Sequence, residues 1–250
     1  MSKGLILDIE LSPSLAAVWG LWNQNINITN LLGESEVLCW AAKWRGEDDI
    51  MFRSTFHDGK ETMLYDIHNL LEEADYVVTY NGNRFDLKIL NQEFLFYNMP
   101  PPKPYHSVDL LNTVKRRFRG TSNKLDWWLR RLGLETKVAT GGPSLWIECM
   151  RGSRDAWDTM REYNMADVDR TEQLLNRIQA WVPDMPAPEG TLESPRCSCG
   201  SCKVQRRGYK RTVSGLVYRQ YQCQHCGRWF RERYVDKDQA RPALVHVGQV

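Results

Sequence analysis

Leu5-Ile-Leu-Asp-Ile-Glu-Leu11 decides how the chain is read. In an extended strand successive side chains point to opposite faces, so Leu7, Ile9 and Leu11 look one way while Asp8 and Glu10 look the other. Carboxylates left unpaired inside an apolar strand either pay a large desolvation cost or take up protons. Two readings follow. The acids end the strand at a wet edge, or they face a divalent cation whose charge relieves them.

The same alternation and the turn signals extend the reading along the chain. Ser12-Pro13 turns into a strand expected over Leu15 to Trp22, and Val37 to Lys43 reads as a third that hairpins into Asp49 to Arg53. A helix is expected from Glu61 to Glu73, a buried strand at Tyr76-Val-Val-Thr-Tyr80, and a helix from Arg84 to Phe96 opened by the Asn81-Gly-Asn83 turn. Tyr105 to Asp109 reads as a short strand, followed by helices at Leu110 to Phe118 and Lys124 to Leu132 and a long one from Asp155 to Trp181. Along that last helix Trp157, Met160, Val168, Leu175 and Ile178 fall on one stripe when turned at ~100° per residue, which predicts packing along the sheet. Three strands, helix, strand, helix, strand is an α/β order.

Asp86 lies just beyond the second buried strand, where open α/β sheets place their sites. Taken alone it equally suits the first turn of a helix capped by Asn83. Tyr163 and Asp167 are i,i+4 on the long helix and share a face, which alone is compatible with a surface pair. Together, Asp8-Ile-Glu10, Asn81-x-x-x-Phe85-Asp86 and Tyr163-x-x-x-Asp167 resemble, in order and spacing, the three exonuclease motifs of the DEDDy branch of the DnaQ-like 3′-5′ exonucleases. Ser122-Asn-Lys-Leu125, before a helix ending at Leu132-Gly133, is similar to the family-B polymerase proofreading type. The resemblance spans residues 5 to 181. It implies a ribonuclease-H-like mixed five-stranded sheet flanked by helices, carrying two Mg²⁺ or Mn²⁺ ions. Asp8 would bridge the metals, Glu10 and Asp167 would complete the water-activating site, Asp86 would support the second ion, and Tyr163 would orient the attacking water. Asn81 is carried over as a support for the substrate or for the turn, and Phe85 as a nucleic-acid contact. The chain departs from many relatives at Leu11, where they place a hydroxyl residue; Asp109, Asp126 and Asp169 are read as structural.

Five of the seven cysteines fall between Cys197 and Cys226. Cys199-x-x-Cys202 and Cys223-x-x-Cys226 have the spacing of a four-cysteine zinc site, and a span this short buries no core without metal. The pattern resembles a zinc ribbon holding one structural Zn²⁺. Its knuckles commonly read Cys-x-x-Cys-Gly, as at Cys226-Gly227, whereas Gly200 follows Cys199, so Cys197 is open as a substitute for Cys202. Cys39 and Cys149 read as buried residues. The ribbon is basic: residues 196–235 carry 10 Lys+Arg against 1 Asp+Glu, beside 21 against 28 in residues 1–195. Arg206, Arg207, Lys210, Arg211, Arg219, Arg228 and Arg231, interleaved with aromatics such as Trp229, are the expected contacts to phosphates and bases.

The domain order expected is 1–182 for the exonuclease domain, 183–196 for a Pro-rich linker, 197–235 for the ribbon and 236–250 for a tail. At 42% apolar and 26% charged residues the composition is globular, which excludes disorder and collagen-like repeats. Apolar runs fall far short of the ~20 residues that span a bilayer, and no signal-peptide core follows Met1, so a cytoplasmic protein without membrane contact is expected. Nucleic acid is the expected partner, single-stranded DNA ahead of RNA, with a replication or repair protein on the ribbon as a further one. The resemblance suggests a bacterial or viral origin. A catalytically silent binding scaffold and a structure-selective endonuclease are the alternatives on the same fold.

Overall fold

The computed structural model describes residues 2–134, 142–183, 185–186, 189–190, 194–213 and 216–232. The 236–250 tail and parts of the Pro-rich segment lie outside them. The chain forms two compact units, residues 2–177 and the part from Ile178 onward.

The first unit is built on a mixed five-stranded sheet whose strands lie in the order Ile50–Ser54, Val37–Trp44, Gly4–Leu11, Tyr76–Thr79, His106–Asp109. The central strand is β1 (Gly4–Leu11); it runs antiparallel to β4 (Val37–Trp44) and parallel to β6 (Tyr76–Thr79). Outside them, β5 (Ile50–Ser54) pairs with β4, and β7 (His106–Asp109) runs parallel to β6. Helices α1 (Lys60–Glu73) and α2 (Asp86–Phe96) cover one face. Leu5, Leu7 and Ile9 of β1 meet Met63, Leu64 and Ile67 of α1 and Leu90 and Phe94 of α2 there, with Trp40 donating its indole N–H to the Met63 carbonyl at 2.8 Å. On the opposite face Leu38 and Cys39 pack with α5 (Ser144–Met150) and with Trp157, Met160 and Tyr163 of α6 (Arg154–Ile178). All five stripe residues of α6 are buried, as are Cys39 and Cys149. Helices α3 (Leu110–Arg117) and α4 (Leu125–Leu132) follow β7.

The sequence misleads at one strand. Instead of Leu15 to Trp22, only β2 (Leu15–Ala16) is extended, paired with β3 (Leu31–Gly33) at the base of an arm over residues 12–36. Trp19, Leu21, Trp22, Ile28 and Leu32 are all exposed on it. The local pattern is strand-like, but no sheet is within reach to bury it, and β propensity expresses packing more than backbone preference. Helix α5 was not read from the sequence.

The second unit holds a three-stranded antiparallel sheet, β10 (Val204–Arg211), β11 (Val217–Cys223) and β12 (Trp229–Arg231), and a short pair, β8 (Glu189–Gly190) with β9 (Pro195–Arg196). Among the described residues no helix is long and apolar enough to cross a membrane.

Trp157 stacks on Phe56 with centroids 5.6 Å apart and donates to the Cys149 carbonyl at 3.0 Å. Trp157→Ala should therefore lower stability by about 3–5 kcal/mol, whereas Trp22→Ala on the arm should stay within about 0.5 kcal/mol of the parent. Guanidinium unfolding of both variants checks this, and a strongly destabilised Trp22 variant would contradict the exposed arm.

Candidate metal centres and nucleic-acid interface

Asp8 and Glu10 project from β1 on the face turned toward α5 and α6, the face opposite to Leu7 and Ile9. Asp167, on α6, reaches the same place, and one carboxylate oxygen from each of the three lies within 4.8 Å of the others. Asp86 approaches from the neighbouring strand connection. Beyond Ile6, β1 has no partner on the β6 side, because β6 ends at Thr79, and the Ile9 N–H donates instead to Asp86 Oδ1 at 3.2 Å. The side chain of Asp86 is thus not capped into a box with Asn83. Helix α2 starts after Phe85 with no side-chain cap, and Asn83 accepts a hydrogen bond from Ser107.

The electrostatics follow from this crowding. Burial pushes the Asp8 carboxyl well above the usual carboxylate range, Asp86, Glu10 and Asp167 push it further, and the Asn164 amide opposes them. Burial raises Asp86 to about 6 although backbone donors, the Ile9 amide among them, pull it down. Burial raises the Tyr163 hydroxyl too, with Asp167 adding both its charge and a hydrogen bond.

Three supporting residues escaped the sequence reading. Asn164 donates to Asp8 Oδ2 at 2.7 Å, Trp146 Nε1 donates to Glu10 Oε2 at 3.1 Å, and the buried Arg170 donates to Asp167 Oδ1 at 2.9 Å. Asn164 and Arg170 each lie three residues from Asp167 on α6, so polar positions beside its apolar stripe were the available signal. For Trp146 there was none. One guanidinium facing four carboxylates leaves a deficit of positive charge, and all-oxygen donors suit hard divalent cations. The residues fit such an ion on that ground.

Asn81 holds a left-handed backbone at φ 77°. It is fixed by Asp109, which accepts from the N–H groups of Asn81 at 2.9 Å, Asn83 at 3.4 Å and Leu111 at 2.9 Å. Non-glycine residues in that region are uncommon and collect at functional sites. Phe85 is exposed beside Asp86. Leu11 packs on the core under α1 and α2, so its side chain leaves the acidic face. Asp126 pairs with Arg130, and Asp169 lies 3.4 Å from the buried Lys43.

In the second unit the structure corrects the choice of cysteines. Cys197, Cys199, Cys223 and Cys226 place their sulfurs within 4.8 Å of one another, while Cys202 is exposed and outside the group. The reason is local: Cys197 accepts from the Gly200 N–H at 2.8 Å and donates its own to Ser201 at 3.0 Å, closing a tight turn that Gly200 permits at φ 87°. Cys202 then leads away into β10. The Cys197–Cys226 and Cys199–Cys223 sulfurs are 3.6 and 3.7 Å apart, close to the ~3.8 Å edge of a tetrahedron with ~2.3 Å zinc–sulfur bonds. Burial raises the Cys223 thiol, but the Cys226 and His225 backbone amides outweigh it and bring it to about 7.

The basic residues of this unit differ in availability. Lys210, Arg211 and Trp229 are exposed. Arg206 stacks on Tyr209 and donates to its hydroxyl at 2.7 Å, Arg207 donates to Gln222 at 3.0 Å, and Arg231 lies 3.7 Å over the Tyr218 ring. Arg219 lies 3.8 Å from Glu232. Arg228 is half-buried and donates from one guanidinium nitrogen to the Gln179 and Val182 carbonyls, the latter at 2.8 Å, a structural role that its place in a basic run does not signal.

Fold and acidic centre together define an α/β protein whose central strand presents carboxylates toward its longest helix. The chain belongs to the RNase_H superfamily, whose family model matches residues 33–179. Among solved structures, the family B DNA polymerase from the hyperthermophilic archaeon Pyrobaculum calidifontis is similar with a TM-score of 0.55 and 16% identity, over 72% of this chain and 25% of that one. At that identity the likeness concerns the fold. The chain thus spans a quarter of the polymerase's length. No curated protein matches the sequence.

Two outcomes are expected. A carboxyl whose pKa is raised on folding stabilises the fold below its unfolded value and loses that contribution as pH rises through the folded one. Without added divalent ions, stability should fall between pH 4 and pH 7, by roughly 3 kcal/mol for Asp86 alone given its shift to about 6 and ~1.4 kcal/mol per unit. Mn²⁺ should restore it at pH 7 and much less at pH 5, and in thermal melts Asp8→Asn should remove the Mn²⁺ effect while leaving the part of the pH-dependent loss that belongs to the buried Asp86. Separately, the isolated protein should release one zinc per chain to a colorimetric chelator after thiol modification. Cys197→Ser should abolish that release and Cys202→Ser preserve it; the reverse would restore Cys202 as the ligand.

Proposed function

We propose that this protein is a metal-dependent 3′-5′ exonuclease of the DEDDy type, hydrolysing phosphodiester bonds of single-stranded nucleic acid, DNA in preference to RNA. The observation that carries the reading is the convergence of Asp8, Glu10 and Asp167, from opposite ends of the unit, within 4.8 Å, with Asp86 held against the same strand. Superfamily membership supports nuclease chemistry, and the order and spacing of the acidic motifs support the proofreading type.

Asp8, Glu10, Asp86 and Asp167 would hold two Mg²⁺ or Mn²⁺ ions, which when bound stabilise the entering and leaving oxygens of an in-line displacement. The chain's own groups do the rest. Asn164 fixes the Asp8 carboxylate, and Trp146 fixes Glu10. The Tyr163 hydroxyl hydrogen-bonds to Asp167, leaving its oxygen to accept a hydrogen bond from the incoming water and aim it. The product would be a nucleoside 5′-monophosphate. We assign Cys197, Cys199, Cys223 and Cys226 to a structural Zn²⁺ in a ribbon that binds nucleic acid or a replication or repair protein. In domain terms, 1–182 would carry catalysis and 197–235 the ribbon, joined by 183–196.

A time course with Mn²⁺ on matched 5′-labelled single-stranded DNA and RNA tests the reading. A ladder shortening from the 3′ end is expected, strongest on DNA. Asp8→Ala and Asp167→Ala should abolish it with the fold intact, and Tyr163→Phe should slow single-turnover chemistry by about 10²-fold. Cleavage of a circular strand would make the protein an endonuclease; binding without metal-dependent cleavage would make it a scaffold.

A further inference from the structure

We propose that the catalytic unit carries a phosphate-binding surface of its own, formed by the last turn of α3, the loop after it and α4, so that the substrate strand is held without the ribbon. The proposal deepens the exonuclease reading and rests on it for the identity of the ligand as nucleic acid.

The charge distribution is the first observation. Residues 2–177 carry 21 Lys+Arg and 25 Asp+Glu, yet residues 115–131 alone hold 7 of those cations and 1 of the acids. Lys115, Arg116, Arg117, Arg119, Lys124 and Arg131 are all exposed. None of these six pairs with a carboxylate among the described residues; only Arg130 does, with Asp126. Elsewhere in the unit many of the cations are matched, among them Lys3 with Glu73, Arg53 with Asp66, Lys60 with Glu93 and Lys43 with Glu172. The negative ends of α3 and α4 account for cations in their last turns but not for Arg119 and Lys124, which lie in the loop between. Unmatched cations gathered in one place on an acidic body complement a polyanion.

The second observation is rigidity. Phe118 packs on Trp128 with centroids 5.5 Å apart, and Trp127 meets Trp128 edge-on at 4.9 Å. A Cβ at Gly120 would come within 2.7 Å of Trp128 and 2.8 Å of Trp127, so the loop backbone lies directly on both rings. Trp127 and Trp128 clamp the loop that displays the cations. A surface fixed beforehand loses less entropy on binding.

The third is location. Asp109 caps the start of α3 while holding the N–H groups of Asn81 and Asn83, and the Tyr80 hydroxyl donates to the Asn123 carbonyl. The basic segment is thereby tied at two points to the loop that leads into Asp86. A strand whose phosphates lie on it would run toward the carboxylates.

The test uses the full chain with Arg116→Gln, Arg117→Gln, Arg119→Gln and Lys124→Gln combined, its fold checked by thermal melt. Binding of a fluorescein-labelled 20-nucleotide oligo-dT is followed by anisotropy from 50 to 300 mM salt in Ca²⁺. Each lost phosphate contact on a single strand should make the log–log salt slope shallower by ~0.7, about 3 for four contacts, with at least tenfold weaker binding at 100 mM. Cleavage at subsaturating substrate should fall by the same factor. Should the melt report loss of fold, Lys124→Gln alone, in the loop, is read for a slope change of ~0.7. An unchanged slope and affinity in a folded variant would overturn the proposal, as would a loss of cleavage with binding intact. If the parent binds through this surface but cleaves nothing, the surface stands and the exonuclease reading fails.

Discussion

Ile9 donates its backbone N–H to Asp86 because β6 stops short of it, and that hydrogen bond is the point on which the acidic centre turns. A continuous parallel ladder would have used the Ile9 N–H in the sheet and left Asp86 to the helix N-terminus, remote from Asp8. The early end of β6 gives the connection at Asn81 room to fold back, and Asp109 holds it there from the next strand. Four carboxylates then share one region, where burial together with Asp86, Glu10 and Asp167 raises the affinity of Asp8 for protons. The apolar packing of α1 and α2 on one face and of α5 and α6 on the other holds this repulsive arrangement together.

Much of this was legible. Alternation in Leu5 to Leu11 gave the central strand and put both its acids on one face, and the i,i+4 spacing of Tyr163 and Asp167 gave a shared helix face. What no local pattern held were the contacts made across the fold. Asn164, Trp146 and Arg170 matter through what they touch, and two of the three touch residues more than 130 positions away. The strand expected over Leu15 to Trp22 failed for the same reason in reverse, since its apolar residues have nothing to pack on. Cys202 lost its place to Cys197 through a single glycine: Gly200 allows a turn so short that the sulfurs two residues apart converge. Arg228 looked like one more cation in a basic run, but two carbonyls in its own unit claim it.

The centre also illustrates how a site can oppose the fold that carries it. Asp8 and Asp86 are most at ease protonated, whereas binding a cation requires them ionised. A protein arranged in this way is least stable in the state ready to receive its ligand, and ion binding returns that free energy to the folded state. The buried Arg170 moderates the conflict at Asp167 alone, leaving Asp8 with only a neutral amide for support.

The arm between β1 and β4 has a different standing in the architecture. Leu11 and Val37 are cross-strand partners, and just beyond them Ser12 donates to Glu36 at 2.8 Å and accepts from Ser35 at 2.6 Å. The hairpin is closed at that point, and the residues beyond hang from a finished junction. Because closing a longer loop adds little entropy penalty, this junction is a socket: segments of other lengths and chemistries can be exchanged there across evolution, two residues from Glu10, without altering the register of the strand that bears the acids.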